Sequence, residues 1–401
     1  MATIKWRFES KKDVERVALL AVKPPRTSKG VVEEHLEELA FLVRTAGGNP
    51  VFSVIQRLPH PHPRTFLGKG RLDEVRERVK KEQIDTVVCD EELSPSQIRN
   101  LEQTLECKIL DRTLVILDIF ARHARTAEAR IQVELAQLQY MLPRLTRLWT
   151  HLSRQKGGIG LRGPGEKEIE TDRRIIRNQI AVLKKRLARV QTQRKTRRNQ
   201  RQAKVRVALV GYTNVGKTTI LNALTGAAKL AENKLFATLD TTVKQVVVDG
   251  VPFLLSDTVG FIRKLPTHLV ESFKSTLAEA READVIVHVV DMSHPAYPDQ
   301  IKAVNEILHS LGMDQKVVWM VGNKIDQAEQ LPEENALNRF VLGTSEPPLL
   351  MSALREDDLR RLRKALRRIV EKVYEERYPY VIKTIYGRYP DASGADGVRL
   401  A

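Results

Sequence analysis

The run KVRVALVGYTNVGKTTILNAL, residues 204–224, constrains the fold more than any other part of the chain. A β-branched apolar segment leads into Gly211. Gly216, Lys217 and Thr218 follow after four intervening residues, and a helical apolar pattern comes next. Strand, glycine-bounded turn and helix in that order make a phosphate-binding loop. The backbone N–H groups of Gly211, Tyr212, Thr213, Asn214, Val215 and Gly216 converge with the helix N-terminus on one anion. Lys217 then reaches the outer phosphates as a catalytic cation. Thr218 offers its hydroxyl to Mg²⁺, and Thr219 completes the first turn. A loop of this kind needs a buried strand beneath it, so the C-terminal half is expected to be α/β with a parallel sheet core of the Ras type.

Three further segments fall downstream in a meaningful order. VPFLLSDTVG (251–260) reads as a buried strand ending in Asp257 and Gly260. Asp257 suits Mg²⁺, held through water, and the Gly260 N–H suits a terminal phosphate. VVWMVGNKID (317–326) reads as a strand ending in N-K-x-D, with Asn323, Lys324 and Asp326. The Asp326 carboxylate can accept both the N1–H and the 2-amino hydrogens of guanine; adenine offers no such donor pair. Asn323 braces the loop and Lys324 lies along the ring. PLLMSAL (348–354) brings the Ser352–Ala353 backbone to the base. Each tetrapeptide alone is weak, but the ordered set points to GTP and GDP with Mg²⁺ rather than ATP.

Between the loop and Asp257 lies LFATLDTTVKQV (235–246), the expected switch segment. A threonine there completes Mg²⁺ coordination only when the γ-phosphate is present; Thr242 is the first choice and Thr241 the second. Phe261 follows D-T-V-G, where a glutamine would orient the attacking water. Phenylalanine cannot, so hydrolysis is expected to be slow without help from another group or a partner.

Charge is the strongest bulk signal. Residues 144–206 carry 20 Lys/Arg against 4 Asp/Glu, a net +16 of the chain's +17. A field that concentrated attracts polyanions, of which an RNA or DNA backbone is the commonest. Leading into it, Ile131, Leu135, Leu138, Leu142, Leu145 and Trp149 form one heptad seam. Ile169, Ile176, Ile180, Leu183, Leu187 and Val190 form another. Two seams joined by a loop read as an antiparallel helical hairpin. Its tip, RQKGGIGLRGPGE, contains G-x-G-x-x-G at Gly158, Gly160 and Gly163, but a dinucleotide turn must follow a strand, and here a helix precedes it. The tip reads instead as a nucleic-acid probe, with Arg154, Lys156 and Arg162 seeking phosphates and Gly158 and Gly160 permitting close approach.

Residues 16–125 alternate strand-like and helix-like runs. Strands are expected at 16–22, 50–56, 84–90 and 108–112, with helices at 31–48, 71–82 and 94–105. That alternation implies a covered, mainly parallel sheet. His60 and His62 lack the cysteine or acidic neighbours of a metal site, and Cys89 and Cys107 read as buried thiols in a reducing cytosol. No apolar run approaches a membrane span. The expected division is 1–126 N-terminal α/β domain, 127–203 basic hairpin, 204–376 GTPase domain and 377–401 tail.

The chain resembles HflX, a ribosome-associated GTPase family of the translation-factor-like class. The resemblance runs over about residues 15–375. It is carried by LGKGRLDEV (67–75), DEELSPSQIRNLE (90–102), HLSRQKGGIGLRGPGE (151–166), GYTNVGKTT (211–219), LFATLD (235–240) and DTVGFIRKLP (257–266). It implies an N-terminal α/β domain, a helical hairpin linker and a GTPase domain, and binding to the large (50S) subunit with the Gly-rich tip toward ribosomal RNA; a cytoplasmic location and a monomeric state off the ribosome are separate expectations. It also implies separation of stalled or stressed ribosomes into subunits, and in some members ATP use by the N-terminal domain. Val215 replaces the usual Ala, Thr218 the usual Ser, and D-T-T-V the usual D-P-T-T. The stretch 378–401 is shorter than the extra C-terminal domain many members carry. Two other readings remain: an RNA-remodelling nucleotide hydrolase using ATP through its N-terminal domain, and a signalling GTPase with a protein partner.

Overall fold

The computed structural model describes residues 14–144, 164–199, 204–226, 235–236, 242–264, 278–313, 316–331, 337–338, 340, 344 and 346–378. The chain divides into two compact units that part within one long helix, at residues 189 and 190.

In the first unit, β1 (Arg16–Lys23), β2 (Asn49–Arg57), β3 (Thr86–Cys89) and β4 (Lys108–Asp111) form one sheet in the order β2-β1-β3-β4. Every pairing is parallel. The crossovers are α1 (Lys29–Thr45), α2 (Lys69–Lys81) and α3 (Pro95–Leu105). Val17 to Val22 of β1 are buried in succession, as a strand covered on both faces requires. Ser94 starts α3 with a reciprocal capping box to Gln97, and Pro95 pre-sets the first turn.

Two helices follow, α4 (Arg112–His123) and α5 (Ala127–Met141). The sequence reading has no α4. Residues 112–120 are all buried, so the helix lacks the polar face that periodicity detects. The heptad seam read for α5 also needs correction. Ala129, Gln132, Val133, Leu135, Ala136 and Tyr140 are buried, whereas Ile131 and Leu138 are only half-buried. α5 packs against α4. Beyond α5 comes the long helix α6 (Pro164–Asn199). Along it Ile176, Ile180, Leu183, Leu187 and Val190 are less exposed, in step with the expected seam, as are Asp172 and Arg173; the Ile169 side chain, and Leu145 and Trp149 of the first seam, lie outside what is described.

The end of α5 is fastened to the sheet by polar groups. Asp111 accepts the Tyr140 hydroxyl at 2.6 Å and the N–H groups of Leu93 and Leu114 at 3.0 and 2.9 Å. The Arg144 guanidinium stacks 3.4 Å from the Tyr140 ring centroid and donates to the Leu93 carbonyl and Glu92. Burial pushes the Asp111 carboxyl up, and the Tyr140 hydrogen bond pulls against it.

The second unit carries a six-stranded sheet, β10-β9-β8-β5-β7-β6. Its strands are β5 (Arg206–Gly211), β6 (Thr242–Val248), β7 (Val251–Asp257), β8 (Val285–Asp291), β9 (Val317–Asn323) and β10 (Leu349–Leu350). Only the edge strand β6 runs antiparallel. The helices are α7 (Lys217–Thr225), α8 (Ala278–Glu282), α9 (Tyr297–Ser310) and α10 (Glu356–Arg377). Among the described residues no helix is long and apolar enough to cross a membrane. The α10 face Leu359, Leu362, Leu366, Ile369, Val373 is buried. The Tyr374 hydroxyl donates to the Pro252 carbonyl at 2.6 Å and accepts the Val205 N–H at 3.2 Å, tying the last helix to the amino-terminal ends of β7 and β5. The carboxyl ends of β5, β7, β8 and β9 thereby gather Gly211, Asp257, Asp291 and Asn323 at one edge, where ligands of parallel sheets bind.

Candidate functional site

The turn between β5 and α7 has the shape its glycines foretell. Asn214 and Gly216 take positive φ, 63° and 96°. A Cβ on Gly216 would also lie 2.3 Å from the Asn323 amide nitrogen, so the loop is closed down onto the N-K-x-D strand. Lys217 is buried at the base of the loop and donates to the Gly211 and Tyr212 carbonyls at 3.1 and 2.7 Å. Desolvation pulls its ammonium down to about 8, with Asp257 acting in the opposite sense. An ammonium that desolvated gains strongly from an arriving polyphosphate.

The Thr218 hydroxyl donates to the Asp257 carboxylate at 2.7 Å. Two hard oxygen donors in contact, one anionic, suit Mg²⁺, which binds through one or two protein oxygens with water and phosphate completing the shell. Thr219 is half-buried one position further along α7. Thr242 opens β6 opposite Asp257 in register, with its side chain exposed. Thr241 lies outside the described residues. Gly260 is packed against the loop: a Cβ there would lie 2.7 Å from Thr213 Cα and 3.1 Å from Lys217 Nζ. The Gly260 backbone therefore reaches the phosphate end of the site.

Phe261 is 2 % exposed. Its N–H donates to the Gly211 carbonyl at 3.0 Å and its carbonyl accepts the Thr213 N–H at 2.7 Å. The side chain is core and the backbone is a clamp on the phosphate loop. Further ties come from the loop residues themselves. The Tyr212 hydroxyl accepts the Arg263 N–H at 2.7 Å, and Thr213 Oγ1 accepts the Phe236 N–H at 3.1 Å. The loop is thus joined to both flanking switch segments, which motif spacing does not reveal.

At the other end, Asn323 bridges two loops. Its amide donates to the Val215 carbonyl at 2.8 Å and accepts the Ala353 N–H at 2.9 Å. The Ser352 N–H donates to Asp358 at 2.9 Å. Asp326 is exposed at the rim; a hydrogen bond from Ser352 holds its carboxyl below the usual range. Lys324 donates to Asp291 at 2.6 Å. Nothing in the sequence marks Asp291, because β8 is a buried run with no motif. The structure brings the phosphate-loop, Asp257, Gly260, N-K-x-D and Ser352–Ala353 residues to one edge of one sheet. Arg154, Lys156, Gly158, Gly160 and Arg162 lie outside the described residues.

Comparison with known proteins agrees with this geometry. Residues 33–121 match the family described as GTP-binding GTPase N-terminal, 123–201 GTP-binding GTPase Middle Region, and 206–324 50S ribosome-binding GTPase. GTPase HflX of Flavobacterium psychrophilum is 49% identical over 395 residues, covering 94% of this chain and 95% of that protein. GTPase HflX of Escherichia coli is 46% identical, covering 80% of this chain and 79% of its own. Among solved structures, the complex of SsGBP with GDP is similar at a TM-score of 0.51 and 26% identity, covering 90% of this chain and 99% of that one. With an N-terminal parallel-sheet domain, a helical middle region and a phosphate-loop domain, this chain belongs to the HflX family of GTPases, which turn GTP into GDP and phosphate with Mg²⁺ as cofactor.

Proposed function

We propose that the site at the carboxyl edge of the second sheet holds GTP with its base against Asn323, Lys324, Asp326, Ser352 and Ala353. Its phosphates lie on the loop from Gly211 to Thr219. Lys217 neutralises charge on the outer phosphates, and the Gly260 N–H senses the terminal one. Thr218 and Asp257 would hold Mg²⁺, with Thr242 joining them in the triphosphate state, and the ion would supply neutralisation of phosphate charge there. The 2.7 Å contact between Thr218 and Asp257 supports that pairing.

The chain then acts on the large ribosomal subunit and separates stalled or stressed ribosomes, in the cytoplasm and as a monomer when free. Buried Phe261 is the observation that carries this reading. No side chain at that position can orient water, so turnover waits on a partner. The net +16 of residues 144–206 supplies the affinity for ribosomal RNA, and the tip at 154–162 is its leading edge. Isolated 50S particles should raise single-turnover hydrolysis at least about tenfold, a barrier lowered by roughly 1.4 kcal/mol. Equal rates with and without 50S would contradict partner activation.

A further inference from the structure

Asp291, the last residue of β8, belongs to none of the motifs above, yet it holds the lysine of N-K-x-D. One carboxylate oxygen accepts the Lys324 ammonium at 2.6 Å. The other accepts both the backbone N–H and the hydroxyl of Ser293, at 3.0 and 2.6 Å, so the carboxylate is fixed from two sides. The pair is sheltered, with Asp291 13% and Lys324 23% exposed. The neighbouring residue adds two more holds on the same motif. Met292 donates its N–H to the Asn323 carbonyl at 2.9 Å. Its side chain also fills the space beside Gly322, where a Cβ would meet it at 2.8 Å. Residues 291–293 thus grip the N-K-x-D turn by charge, backbone and packing.

Lys324 needs such a grip. Its φ is 63°, a left-handed conformation that an L side chain rarely adopts. Its four-carbon stem also loses much rotamer freedom when ordered. A stem already anchored at its ammonium incurs that loss before a ligand arrives, so less binding energy is consumed afterwards.

We propose that Asp291 is a positioning residue of the guanine pocket. It anchors the Lys324 ammonium so that the stem lies pre-ordered along the purine plane, and it strengthens guanine nucleotides of either phosphate number alike. The inference rests on the pocket reading above, which the Asp326→Asn exchange tests separately.

A double-mutant cycle on the full chain tests it, with GDP and a non-hydrolysable GTP analogue titrated calorimetrically. Asp291→Asn should weaken both ligands by the same factor, about fivefold to tenfold. In a Lys324→Ala background the same exchange should add less than about twofold, because its route of action is gone. Full additivity overturns the proposal. So does a variant whose ligand-free melting temperature falls while both affinities stay within about twofold, since that is a merely structural ion pair. Ser293→Ala provides a second route should Asp291→Asn fail to fold. It removes the hydroxyl hydrogen bond and leaves the backbone one, so the carboxylate is loosened without being removed; both nucleotides should weaken, an effect that vanishes in Lys324→Ala. Unaltered affinity in Ser293→Ala overturns the proposal as well.

Discussion

At Asp326 the pocket's selectivity comes down to the direction of two hydrogen bonds. The carboxylate is exposed, held below its usual range by a hydrogen bond from Ser352, and able only to accept. Asp326→Asn places a donor where guanine also donates. GTP affinity should fall about 10- to 100-fold, the value of a hydrogen bond to a charged group, and xanthosine triphosphate should gain correspondingly. Competition binding reads both; undiminished GTP binding would move the base elsewhere. Gly260 poses the opposite problem, one of space. Ala at 260 brings a methyl within 2.7 Å of Thr213 Cα and 3.1 Å of the Lys217 ammonium. The peptide that reports the terminal phosphate must shift. Hydrolysis should drop at least about tenfold, and the GTP analogue should lose more affinity than GDP. Turnover equal to the unaltered protein's would separate Gly260 from the reaction.

Elements with a periodic face, a cap or clear turn residues at their ends are readable in the chain, and buried runs without such markers are not. β1 was visible as a buried run with clear stops, α1 to α3 by their periodicity, and α3 also by its Ser94 and Pro95 start. The phosphate loop was readable because its chemistry demands glycines at fixed spacing. By contrast α4 and β8 show no alternation, and they went unread for that physical reason. What β8 contributes to the site, Asp291, finds its partner 33 residues away, a distance no local pattern encodes. The α5 seam misleads because the buried face takes in Ala129, Gln132, Val133, Ala136 and Tyr140, which the Ile/Leu spacing does not mark, while of the described seam residues Leu135 alone is buried. The hairpin tip remains an expectation of charge and composition. Replacing Arg154, Lys156 and Arg162 with Ala should weaken 50S binding and reduce the magnitude of the salt slope by about 0.9 per lost phosphate contact on the duplex estimate. GTP affinity should be retained. Wild-type binding with an unaltered slope would remove the tip from the interface.

Over the whole molecule, two features belong together: a GTPase unit whose Phe261 cannot position water, and a chain whose excess charge is nearly all in residues 144–206. A catalytic unit that waits and a basic segment that finds a polyanion make sense as one device only if nucleotide state and ribosome binding are coupled. By linkage, a subunit that binds the triphosphate-bound protein more tightly than the diphosphate-bound one must raise its preference for GTP over GDP by the same factor. Co-sedimentation of the full chain with purified 50S particles measures that coupling directly. With a non-hydrolysable GTP analogue the protein should pellet at least about fivefold more tightly than with GDP, a coupling of roughly 1 kcal/mol. Equal pelleting in the two nucleotide states, or none in either, would contradict the account.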